Sequence, residues 1–114
     1  MWTRPITVAE TAVFMRQAAD VWTEQERRIF IDFIARNPEA GDLIPQMGGV
    51  RKVRWSRQGT GKRGGVRVIY FYHAPDMPLY LLMVYAKAQR DDLSPDARRT
   101  VQALVARLKR AQGR

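Results

Sequence analysis

The chain has 114 residues, 46% of them hydrophobic and 27% charged, which is the make-up of one globular domain over residues 1–114 and excludes a disordered or fibrous chain. It contains no cysteine, so disulfides, thiolate metal sites and cysteine nucleophiles are ruled out. The net charge of +9 is unevenly spread, because residues 1–42 carry five basic and seven acidic side chains, a balance of −2, which leaves +11 for residues 43–114.

In chain order, Arg4 to Val8 is short and β-leaning, and Glu10 to Val21 takes helical spacing through Val13, Phe14 and Ala18. A second helix is expected to begin at Trp22-Thr23-Glu24-Gln25-Glu26. There Thr23 can accept from the amide three residues on while Glu26 reaches back, the capping-box pattern. Ile29, Phe30, Phe33 and Ile34 read as one apolar stripe, and the helix is expected to stop at Asn37-Pro38 because proline disfavours the α region before it. From Val50 the period becomes that of a strand. Alternation through Val50–Trp55 puts Lys52 and Arg54 on one face and Val53 and Trp55 on the other. Val66 to Tyr72 and Leu79 to Tyr85 are almost continuously apolar, as in strands covered on both faces, and the turn-rich Ala74–Pro78 between them predicts an antiparallel pair. Ser94-Pro95 supplies a helix cap and first position, and Val101, Leu104, Val105 and Leu108 repeat at the helical interval. The expected fold is α+β: two amino-terminal helices, a three- to four-stranded antiparallel sheet and a carboxy-terminal helix.

The charge says more about partners. No acid occurs from Leu43 to Pro75, yet Arg51, Lys52, Arg54, Arg57, Lys62, Arg63 and Arg67 fall within seventeen residues. Like charges at that density repel, and a polyanion is the ordinary means of neutralising them. The stretch Gly59-Thr60-Gly61-Lys62-Arg63-Gly64-Gly65 formally satisfies GxGxxG, but a dinucleotide site needs a helix after it and here the β-branched run Val66-Arg67-Val68-Ile69 follows. A P-loop reading fails too, because Lys62 precedes Arg63 rather than Ser or Thr. What remains is a basic loop whose amides and cations can approach phosphate.

Conventional catalytic groups are scarce. His73 is the only histidine, so it forms neither an acid/base pair nor a metal site by itself, and Asp91-Asp92 read as part of the turn before Ser94. RNA cleavage requires none of these, since the substrate's own 2′-hydroxyl can be the nucleophile. The protein then has only to align it and stabilise the charge that builds on phosphorus, which arginine and lysine can do. Lys52 beside Arg54 is a crowded site of the kind that can also assist proton transfer.

Several segments together resemble one family: Asn37–Asp42, Gly48-Gly49-Val50-Arg51-Lys52-Val53-Arg54, Gly61 to Tyr70, and Tyr85-Ala86-Lys87 followed by Asp92-Leu93. Their order and spacing, over about residues 25–108, are similar to the HigB branch of the RelE/HigB-type toxins. The resemblance implies a compact α+β fold and metal-independent cleavage of mRNA in the ribosomal A site, with no cofactor. It also implies neutralisation by a cognate antitoxin of helix-turn-helix type, through which operator DNA is reached only indirectly. A cytoplasmic location without membrane contact is expected on other grounds, since the amino terminus lacks a basic then apolar signal pattern and no apolar run approaches membrane-spanning length. It makes Lys52 and Arg54 the strand cations for proton transfer and phosphate stabilisation, Arg67 the transition-state arginine, and Lys87 the basic residue ending the last strand. Arg51, Arg57, Lys62, Arg63 and Arg90 are the expected RNA-binding cations. The sequence departs from the family where an arginine follows the terminal lysine and a tyrosine comes soon after, since it has Ala88 and Leu93-Ser94 there. Arg90 or Arg63 could replace that arginine, and Tyr70, Tyr72 or Trp55 that ring. The competing reading is a non-catalytic basic module that binds RNA or the ribosome.

Overall fold

The computed structural model describes residues 4–56, 65–89 and 92–113. Its elements run β1 (Val8–Glu10), α1 (Ala12–Val21), α2 (Glu24–Arg36), β2 (Asp42–Leu43), β3 (Val50–Trp55), β4 (Val66–Phe71), β5 (Leu79–Ala86) and α3 (Pro95–Gly113). The α+β class is as expected, but the sheet has five strands in the order β1-β5-β4-β3-β2 instead of three or four. The two extra strands are edges of three and two residues, too short to show alternation in sequence, and β1 joins β5 in parallel, so the sheet is mixed.

Local chemistry explains the helix boundaries. Thr23 Oγ1 accepts from Glu26 N at 3.1 Å and Thr23 N donates to Glu26 Oε1 at 2.8 Å, so the capping box forms and α2 starts at Glu24. The helix ends at Arg36, capped by Asn37, as the following proline dictates. Ala97 N donates to Ser94 Oγ at 3.1 Å and starts α3.

The sheet has a core on each side. Phe14 and Ala18 of α1 and Phe30 and Ile34 of α2 pack on Val53, Val66, Val68 and Tyr70, while α3 lays Ala97, Val101 and Val105 over Val50, Ile69 and Phe71. Ile29, expected in the α2 stripe, is 44% exposed, because the buried face centres on Phe30 and Ile34 and carries on to Ala35, leaving Ile29 past its edge.

Tyr70 fixes the loop that follows α2. Its ring is buried, and its hydroxyl accepts from Gly41 N at 2.9 Å and donates to Pro38 O at 2.8 Å. Gly41 has to be glycine, since a Cβ there would lie 2.8 Å from Lys52 O. Burial raises the Tyr70 hydroxyl above its ordinary pKa, with the Gly41 N–H bond acting in the opposite direction. Tyr70→Phe strands two backbone groups and is expected to cost about 1–3 kcal/mol in thermal or urea unfolding. The neutral phenol stabilises the fold fully below its unfolded pKa of about 10, and that contribution is lost as pH rises through the raised folded value. The Phe variant is therefore expected to lack this part of the alkaline loss of stability, and an identical alkaline profile for the two proteins would contradict the assignment.

Candidate active site

The three long strands bring the cations together. In the register of β3 and β4, Arg54 stands opposite Arg67 and Lys52 opposite Ile69, and in that of β4 and β5, Arg67 stands opposite Tyr85. Directly paired residues project to the same side, so Lys52, Arg54 and Arg67 share the face that α3 covers farther along. Lys87 joins them just past β5, where its N–H donates to Gly65 O at 3.1 Å. A cleft of about 850 Å³ is lined by Lys52, Arg54, Arg67 and Lys87 together with Ala40, Asp42 and Val53.

A β-bulge puts Lys87 on this side. Strict alternation from Leu79 would send Tyr85 and Lys87 to the α1 face along with Leu81. The β4–β5 register instead shifts between Ile69 and Tyr70, pairing Ile69 with Met83 and Tyr70 with Leu81, which leaves Leu82 as the extra residue. Leu82, Met83 and Tyr85 accordingly pack on the α3 side while Leu81 and Val84 remain with α1. α1 satisfies the backbone where β5 extends beyond β1. Thr11 Oγ1 donates to Leu81 O at 2.9 Å and to Leu82 O at 3.4 Å, and Val84 N donates to Gln17 Oε1 at 3.0 Å.

The cleft gathers four cations, with the Asp42 carboxylate also in its lining. Arg67 is 5% exposed, the one buried charged side chain among the described residues, and directly opposed like charges such as Arg54 and Arg67 cost stability in a sheet. Lys52 Nζ lies 3.4 Å from Asp92 Oδ1, and the same oxygen accepts from Leu93 N at 2.8 Å. The Leu93 N–H, with help from Lys52 and Arg98, holds the Asp92 carboxyl below its ordinary pKa. Asp42 is opposite Lys52 in the β2–β3 register. Neither carboxylate was singled out as a cleft residue by the sequence. Asp42 comes four residues after the helix-ending Pro38, in a segment whose sequence does not reveal a strand pairing.

Not every expected cation is at the cleft. Arg51 alternates to the opposite face from Lys52, and its Nη1 donates to Gly41 O at 2.7 Å and Glu39 O at 3.3 Å. It clamps the loop after α2. Arg57, Lys62, Arg63 and Arg90, and with them nearly all of the glycine-rich stretch, lie outside the described residues. Tyr70 is buried and tied to the loop, and Trp55 packs against Phe30 and Phe33 at 5.3 and 4.9 Å between ring centroids, so both rings already have other partners. Tyr72 packs against the α1–α2 core. His73 is exposed and stacks on Phe71 at 6.2 Å, away from the cleft residues.

A second concavity of about 540 Å³ lies between α1 and α2, bordered by Met15, Trp22, Glu10, Glu24 and Arg27. Arg27 bridges both acids, at 2.5 Å to Glu10 and 2.6 Å to Glu24, so the charges there are mutually compensated.

Two comparisons bear on this arrangement. The family model described as the RelE toxin of the RelE/RelB toxin-antitoxin system matches residues 11–114. Among solved structures, a mutant of the E. coli toxin RelE in the free state superposes with a TM-score of 0.55 at 12% identity, over 77% of this chain and 90% of that one. At such identity the second likeness is one of fold.

Proposed function

The chain belongs to the RelE toxin family of toxin-antitoxin systems, and from that premise we propose that it is a metal-independent endoribonuclease that cuts mRNA in the ribosomal A site. The observation that carries this reading is the convergence of Lys52, Arg54, Arg67 and Lys87, from three neighbouring strands, on one cleft. The 2′-hydroxyl of the message attacks the adjacent phosphorus, and the ribosome and cleft hold it in line with the leaving 5′ oxygen. Arg54 and Arg67, opposed across β3 and β4, share the charge that accumulates on the nonbridging oxygens, and the burial of Arg67 fixes it for that task. Lys52 and Lys87 flank them, to assist proton transfer and to hold the scissile phosphate.

The cationic chemistry alone would also suit a binder that never cuts. Family membership favours the enzyme. A family toxin has a cognate antitoxin, and we assign this one to the HigB branch with a helix-turn-helix partner, acting in the cytoplasm. Among the described residues no helix is long and apolar enough to cross a membrane.

Expression of the protein alone in bacteria is expected to arrest translation and growth, and co-expression of the antitoxin from the neighbouring reading frame to restore both. Normal protein synthesis at verified soluble expression would contradict the reading.

A further inference from the structure

Resting on that reading, we propose that Asp92 is the internal counter-ion of the cleft, a carboxylate seated at Lys52 that an RNA phosphate must displace. Two bonds define the seat. Asp92 Oδ1 takes the Leu93 N–H at 2.8 Å, which anchors it to the backbone at the start of α3, and the same oxygen faces Lys52 Nζ at 3.4 Å. The carboxyl is held below its ordinary pKa, so it is anionic throughout the physiological range.

Charge-assisted N–H···O contacts close to about 2.7–2.9 Å, so the longer Lys52 contact is a loose one, made to a group positioned by a different bond. The Asp92 side chain is 68% exposed and that of Lys52 32%, so water and an incoming phosphate both reach the pair. A pair of this exposure contributes a factor of about two to five in affinity. That is enough to disfavour stray RNA and too little to keep out a message already positioned by the ribosome. Asp92 would therefore weaken binding to free RNA, where no ribosomal contact compensates.

Asp92→Asn tests this cleanly, because an amide oxygen still accepts from Leu93 N while the charge is gone. Binding of a fluorescent mixed-sequence single-stranded RNA is titrated at several salt concentrations for the wild type, Asp92→Asn, Lys52→Gln and the double variant, with unfolding curves alongside. Asp92→Asn is expected to bind two- to fivefold more tightly at low salt. Its salt slope is expected to steepen by about 0.7, the value of one more neutralised phosphate on a single strand. In the Lys52→Gln background the substitution is expected to change neither quantity. Unchanged or weaker binding by a folded Asp92→Asn protein would overturn the proposal, and so would a gain that persists without Lys52. These readouts are of binding alone, so they stand apart from whether the wild type cuts mRNA on ribosomes.

Discussion

Arg67→Ala is expected to slow single-turnover cleavage on programmed ribosomes on the order of 100-fold at saturating protein, the loss typical of removing one fixed electrostatic donor. Ribosome affinity is expected to fall much less, since exposed cations carry most of the phosphate contact. Arg67 is 5% exposed on a strand covered on both sides, so truncation to alanine also leaves a cavity. Arg67→Met fills that space without charge and separates the two effects, while Arg67→Lys keeps charge without the planar fork. The expected order of rates is wild type, Lys, then Met and Ala together. A folded Arg67→Met protein cutting at the wild-type rate would show that Arg67 does not stabilise the transition state.

The second large effect is structural and sits beside the same cleft. Gly65 has φ +66°, and a Cβ there would lie 2.1 Å from Trp55 O, so alanine can be accommodated only by parting the ends of β3 and β4. Strain and displacement together are expected to cost on the order of 3 kcal/mol. For a domain of this size that lowers the melting temperature by about 10 °C or more. Gly65 O also receives the Lys87 N–H, so the substitution is expected to loosen Lys87 and to lower cleavage in the fraction that remains folded. A Gly65→Ala protein that melts with the wild type would contradict this account of the strand junction.

How much of this could be read in the sequence depended on whether local rules decided the outcome. The capping box at Thr23 and Glu26, the stop at Asn37-Pro38 and the Ser94-Pro95 start involve neighbours in the chain, and each formed as read. Lys52 and Arg54 were legible as a pair because alternation along β3 sets them on the face opposite Val53 and Trp55. β5 was not, since an apolar run carries no period and so hides the bulge at Leu82 that turns Tyr85 and Lys87 toward the cleft. Family resemblance nominated Lys87, and only the register explains how it arrives. Alternation places Arg51 with Val53 and Trp55, but nothing in the sequence announces its bonds to the Glu39 and Gly41 carbonyls. The contact between Asp92 and Lys52 spans forty residues, and no pattern in the chain announces it.

The most direct test of the central claim is to map the ends of a defined mRNA after purified protein is added to programmed 70S ribosomes in chelator, with naked mRNA in parallel. The account predicts cuts within the A-site codon, leaving the ends that 2′-hydroxyl attack generates, and no comparable cutting of the naked message. Protection of the A-site codon without any new ends, at protein concentrations that saturate the ribosome, would make the protein a binder and contradict the account.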